Sequence, residues 1–312
     1  MDRALAVVYA TLVLQALWGS AFSSLLGPRT AATKIVNQRE VEGNEYCHSC
    51  VKIDNICYNH TYLFELPGPL SENPVVERMG IMNFTNVIFY TFEPKFGDKE
   101  YSKVGYVSLY YPEFFGVISG GQSFNFGPFD IDHRMKKVYL GGSDGIWVVD
   151  DVDYFPTYFS EKSNLITNVV VKDSVYFTTS NHKGIFKYFA GHYVVNLTIH
   201  KFVLDGEYNI VYLNDTGLYI SFLNRNQIDV KLSTELRMRG LTVDMKGTVY
   251  AWHAYGIYKV TVGQVLSQST LKRITSIAPD AMTFDESNNI IYSIKKELNK
   301  LAKVATSKCF GR

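Results

Sequence analysis

One pentad recurs four times in the second half of the chain. It reads Gly145-Ile146-Trp147-Val148-Val149, Gly184-Ile185-Phe186-Lys187-Tyr188, Gly217-Leu218-Tyr219-Ile220-Ser221 and Gly256-Ile257-Tyr258-Lys259-Val260. The glycines lie 39, 33 and 39 residues apart. A period on this scale marks one supersecondary unit used repeatedly, because such a unit buries its apolar surface only against its neighbours.

The residues before each pentad read as β-structure. Phe129-Asp130-Ile131-Asp132, a polar turn, then Val138-Tyr139-Leu140 lead into the first copy. Asn168 to Val171, a turn, then Val175-Tyr176-Phe177-Thr178 lead into the second. Leu241-Thr242-Val243-Asp244, a turn, then Val249-Tyr250-Ala251-Trp252 precede the fourth. Short β-branched and aromatic runs broken by Gly, Asn, Asp and Lys are strands and hairpins. The pentad glycine suits a loop end that needs positive φ. Three or four antiparallel strands per unit of about 40 residues predict an all-β fold, the β-propeller. A further copy at Ala281–Tyr292 lacks the pentad, and the third unit is degenerate, with Asn209 to Leu213 running straight to Gly217. An earlier copy begins at Val87. The blades fall near 81–110, 115–150, 165–200, 205–230, 238–265 and 279–304, which makes six. A seventh requires that Tyr46 to Pro67 form more than a closing strand. The propeller is closed by pairing of its N- and C-terminal segments. A β-sandwich is the alternative, but it leaves the near-constant spacing unexplained.

Residues 1–21 have the layout of a secretory signal: Arg3, an apolar run from Ala4 to Leu14, then Gly19-Ser20-Ala21. A flexible segment, 22–45, and a single propeller domain, 46–312, follow. Secretion agrees with four Asn-x-Ser/Thr sequons, at Asn59, Asn83, Asn196 and Asn214. It also agrees with four cysteines, Cys47, Cys50, Cys57 and Cys309. In a secreted chain these read as two disulfides with three connectivities open. A bridge from the N-terminal cluster to Cys309 would tie the first strand to the last blade. Zinc is the rival reading, but no second Cys or His pair follows Cys47-x-x-Cys50 at finger spacing. With 31 basic and 30 acidic residues the chain offers no basic face for nucleic acid. No later stretch is long and apolar enough to span a membrane. A monomer is expected.

No nucleophile elbow, phosphate loop or metalloprotease motif is present, so no catalytic residue is assigned. The chain is rich in aromatics, with 22 Tyr, 20 Phe and 3 Trp. In a propeller the starts of the innermost strands and the loops between second and third strands share one mouth. That mouth would gather the candidate ligand-binding residues Phe129, Asn168, His182, Trp252, His253, Tyr255 and Asp280, with Asp144 nearby. The pentad rings Trp147, Phe186, Tyr219 and Tyr258 are expected to pack between blades.

Two resemblances emerge. Pro279-Asp280-Ala281-Met282 with Asp285 is similar to a strand start of the regucalcin and gluconolactonase propellers, although Ala281 replaces the usual Gly. That resemblance implies a metal-dependent lactonase, with Asn168 and Glu65 as its candidate ligands. The stretch Cys47-x-x-Cys50-Val-x-Ile-x-x-Ile-Cys57-Tyr58, followed by Tyr-rich β segments, resembles the ommochrome-binding proteins of moths and butterflies. It implies a secreted, non-enzymatic haemolymph carrier of a flat tryptophan-derived pigment, with no required cofactor. An extracellular protein-interaction propeller is a third reading. Stacking faces and a few placed polar groups are what an ommochrome would need.

Overall fold

Each lead-in and each pentad is a strand in the computed structural model. It describes residues 50–68, 75–93, 103–119, 125–161, 164–189, 193–195, 198–222 and 229–304. The signal segment 1–21, the 22–45 segment, Cys47, Cys309 and Asn196 lie outside the described residues. The first two strands, β1 (Cys50–Ile53) and β2 (Ile56–Glu65), form a hairpin. Blade 1 is β3 (Val76–Met82), β4 (Val87–Phe92), β5 (Val104–Ser108) and β6 (Phe115–Val117). Blade 2 is β7 (Phe129–Asp132), β8 (Lys137–Gly142), β9 (Gly145–Asp150) and β10 (Thr157–Ser160). Blade 3 is β11 (Ile166–Val171), β12 (Val175–Thr179), β13 (Ile185–Lys187) and β14 (Tyr193–Val195). Blade 4 is β15 (Lys201–Leu204), β16 (Asn209–Asn214), β17 (Gly217–Phe222) and β18 (Val230–Ser233). Blade 5 is β19 (Gly240–Val243), β20 (Val249–His253), β21 (Gly256–Thr261) and β22 (Thr270–Thr275). Blade 6 adds β23 (Ala281–Phe284), β24 (Ile290–Ile294) and β25 (Glu297–Val304), and its sheet runs β1-β2-β25-β24-β23. All pairings are antiparallel meanders.

Six sheets make a six-bladed β-propeller. The N-terminal hairpin does form more than one strand, but both strands extend blade 6 and no seventh blade results. Several blade limits differ from the sequence expectation: blade 2 starts at Phe129 and not near 115, because Phe115–Val117 is the outer strand of blade 1, and blade 5 runs on past 265 to Thr275. Blade 1 starts at Val76, because the run from Val87 is its second strand. The third unit is complete, because its first strand, Lys201-Phe202-Val203-Leu204, precedes the stretch that looked degenerate. Among the described residues no helix is long and apolar enough to cross a membrane.

The core is divided like the fold. One buried apolar cluster lies between each pair of adjacent blades. Ile81, Tyr90 and Ile291 join blades 1 and 6, and Phe89, Phe129 and Leu140 join blades 1 and 2. Ile146 and Val169 join blades 2 and 3, and Tyr176 and Phe202 join blades 3 and 4. Leu218 and Ala251 join blades 4 and 5, and Trp252 and Tyr58 join blades 5 and 6. The pentad rings Trp147, Phe186 and Tyr219 border these clusters. Three pentad rings, Phe186, Tyr219 and Tyr258, also stack within their own blades, while Trp147 lies edge-on to Tyr158. Phe186 lies 5.4 Å from Phe177 and Tyr219 5.4 Å from Tyr212, and each of these pairs is directly cross-strand.

The far ends of four innermost strands carry a second repeat. Asp132, Asp205, Asp244 and Asp285 each accept backbone N–H groups of the turn that follows. Such Asx contacts fix tight turns. Burial pushes Asp285 up, but Lys300 at 2.9 Å and the N–H groups of Asn289 outweigh it and hold the carboxyl below its ordinary 3.8. A lowered folded-state pKa gives stability that is complete above about pH 4 and is lost as pH falls through the folded value. Asp285→Asn should therefore lower the melting temperature at pH 7, and the gap to wild type should shrink below about pH 4. Thermal unfolding from pH 7 to 3 checks this, and a constant gap would assign Asp285 no ionic role.

Candidate functional site: the central channel

Strands alternate direction in a meander. The start of every first strand therefore shares a face with the loop between second and third strands. The innermost strands β3, β7, β11, β15, β19 and β23 enclose a cavity of about 770 Å³. Its wall runs from Glu77, Leu165 and His200 near the strand starts to Lys172, Asp205 and Asp244 at their far ends.

Three of the residues expected at the mouth belong to this wall: Phe129, Asn168 and Trp252. Phe129 is 1% exposed, and the Arg78 guanidinium lies 5.6 Å from its ring centre. Trp252 is on a second strand but reaches the wall across Gly240. A Cβ at Gly240 would sit 2.1 Å from the indole, so glycine is what lets the ring pass under the innermost strand. The indole Nε1 donates to the Asp280 carbonyl at 3.0 Å, which ties blade 5 to blade 6.

His182, His253, Tyr255 and Asp280 lie outside the wall. His182 is exposed, with its ring edge-on to Phe186. Tyr255 is 57% exposed. His253 is buried beneath it; Nδ1 accepts the Tyr255 N–H at 3.2 Å and Nε2 lies 3.0 Å from the Tyr258 hydroxyl. Burial lowers the pKa of His253. The acceptor role of Nδ1 then assigns the neutral ring its proton on Nε2. The Asp280 carboxylate holds Arg239 and the Lys295 N–H at the rim.

The centre of the channel is a group that the repeat did not reveal. Arg78, from β3, donates from Nη1 to Asn168 Oδ1 at 3.0 Å, and its Nη2 lies 3.5 Å from Asp130 Oδ1. One side chain thus links blades 1, 2 and 3. Asp130 Oδ2 also accepts the Val171 N–H at 2.7 Å. Both charged side chains sit deep among the blades. About a quarter of Arg78 and somewhat more of Asp130 stay open to the cavity, with 25% and 30% of their side-chain surface accessible. Burial pushes the Asp130 carboxyl up, and Arg78 opposes that shift. Burial likewise draws Arg78 down, with Asp130 resisting. Glu77-Arg78 carries no motif. Recognising Val76–Met82 as the first strand of a blade was the signal that would have placed it.

The residues tested for a divalent cation do not fit one. Asn168 already accepts from Arg78 and from the Val169 N–H. Asp280 is engaged at the rim, and Asp285 caps its turn at the far end of β23. Glu65 is on β2, fourth from the axis, paired with Lys296 at 2.7 Å. Hard cations need several oxygen ligands converging. Among the described residues no three His, Cys, Asp or Glu side chains do so.

No family model and no curated protein sequence matches the chain. Solved structures match it in shape. A gluconolactonase from Xanthomonas campestris, 11% identical, superposes with a TM-score of 0.55 over 79% of this chain and 90% of its own. A candidate gluconolactonase, 10% identical, gives 0.54 over 79% and 92%. At such identities the likeness is one of fold. It agrees in architecture with the resemblance to regucalcin and gluconolactonase propellers, and nothing in it bears on the ommochrome-binding one.

Proposed function

We propose that this chain is a non-enzymatic binder of a small ligand with a flat aromatic body, held in the propeller channel. The observation that supports this reading is the cavity itself. About 770 Å³ enclosed by six innermost strands is within the range of small-molecule sites. Its wall sets a few polar groups, Arg78, Asn168 and Asp130, against apolar surface. Cys50 and Cys57 are both disulfide-bonded, which suits an oxidising, extracellular compartment. An ommochrome-type pigment remains the first ligand to try, with secreted transport or storage as the role. Thr242 lines the channel on β19. Thr242→Trp narrows it and should weaken pigment binding at least tenfold, or about 1.4 kcal/mol. Tyr255→Ala should change affinity less than about twofold, because Tyr255 lies off the wall. Visible-absorption titration reads both, and unchanged binding in Thr242→Trp would remove the channel as the site.

A second reading, a lactonase-type hydrolase, is favoured by the fold likeness to gluconolactonases. It would require a metal set that the channel residues do not supply. Assaying a sugar lactone with and without calcium or zinc separates the two. Turnover above that of heat-denatured protein would replace the carrier reading with the enzymatic one.

A further inference from the structure

Arg78 and Lys201, both on the channel wall, have more N–H donors than their contacts among the described residues use. The geometry points to a ligand bearing a carboxylate or similar oxyanion, bound between Arg78 of blade 1 and Lys201 of blade 4. This rests on the channel being the ligand site. Blades 1 and 4 stand opposite each other in a six-membered ring, so the two cations approach a shared space from two sides.

Arginine carries more N–H donors than the two contacts of Arg78 use. Lys201 Nζ donates once, to the Arg239 carbonyl at 2.8 Å, and keeps further donors. Burial weakens the charged form of Lys201, and Arg78 adds repulsion. The wall's inner carboxylates are differently placed. Asp130 accepts from Val171 and faces Arg78, while Asp205 and Asp244 are engaged by the N–H groups of their own turns on Oδ1 and by the Asn209 and Asn288 side-chain amides on Oδ2. Glu77 and Glu93 are exposed carboxylates of the wall, and Glu77 is the one that offsets Lys201. A ligand oxyanion would supply the missing acceptors and relieve the repulsion between the two cations, whereas a ligand cation would meet both of them.

The test titrates quinoline-2-carboxylate and its methyl ester into the full-length protein by calorimetry. The acid should bind at least tenfold tighter than the ester. Arg78→Gln should cost the acid roughly 10- to 100-fold and the ester less than about twofold, since hydrogen bonds to charged groups carry that difference. Arg78→Lys should retain part of the preference, because charge survives but the planar fork does not. Glu77→Gln should strengthen the acid several-fold by removing an internal competitor, an effect that a purely structural pair would not produce. If Arg78→Gln fails to fold, Lys201→Gln reads the same contact from the opposite wall. Equal binding of acid and ester overturns the oxyanion site and leaves the channel as a ligand site. Binding of neither overturns both.

Discussion

Gly256→Ala is expected to destabilise the protein by about 4 kcal/mol, combining backbone strain and overpacking of roughly 1–3 kcal/mol each. Gly256 has φ +136°, and a Cβ there would lie 2.0 Å from the Thr275 carbonyl oxygen. The same contact recurs at other pentads. A Cβ on Gly217 would meet the Ser233 carbonyl at 2.1 Å, and one on Gly145 the Ser160 carbonyl at 2.6 Å. In these three blades the outermost strand places a carbonyl where the side chain would be, and its register shifts beside the pentad. That carbonyl is backbone and cannot turn away. Gly127→Ala is the control, because its Cβ would meet nothing within 4 Å. In a domain of this size the difference is roughly 10 °C in Tm. A loss below about 1 kcal/mol in Gly256→Ala would show that the outer strand yields, and the repeat would need another cause.

This example shows how far the sequence could be read. The pentad's period revealed the unit, and glycine at its head implied positive φ, which is found at 112°, 111°, 138° and 136°. The carbonyl behind Gly145, Gly217 and Gly256 was not legible. It belongs to outer strands such as Thr157–Ser160 and Val230–Ser233, which are largely half-exposed and so lack a strong apolar pattern. The first strand of blade 4 was missed because it follows the preceding unit closely and begins with Lys201, a residue turned to the channel.

The mouth was legible as a face but not as a list of residues. Strand alternation correctly grouped the strand starts with the second loops. Distance from the axis could not be read from alternation alone. Neighbouring strands lie about 4.8 Å apart, so a loop joining the second and third strands begins one or two spacings out from the wall. That is why Phe129 and Asn168, on innermost strands, line the cavity while Tyr255 and His182 do not. Trp252 reaches it only because Gly240 leaves room. Arg78 had no repeat to mark it, since no other innermost strand carries an arginine.

Tyr58→Ala should cost about 3–5 kcal/mol, the range for losing a buried aromatic ring. Its effect falls where the ring of blades is held shut. Strand β2 pairs with β25 from Cys57 opposite Val304 to Glu65 opposite Glu297, so blade 6 is built from both ends of the described chain. Tyr58 is 6% exposed, in the cluster with Trp252 of blade 5 and Leu301 of β25. Removing it loosens β2 from its own blade and blade 6 from blade 5 at once. Tyr62, on the same strand but 53% exposed, is the control, and Tyr62→Ala should stay within about 0.5 kcal/mol of wild type. The comparison is made by urea unfolding, where a lower midpoint at unchanged slope reports stability alone. Because the adjacent Cys57 is disulfide-bonded, a covalent tie also acts here. Reduction should therefore add to the loss in Tyr58→Ala by roughly 2–4 kcal/mol, the typical contribution of a disulfide. If Tyr58→Ala matches wild type in both redox states, strand pairing alone closes the propeller and the aromatic anchor is dispensable.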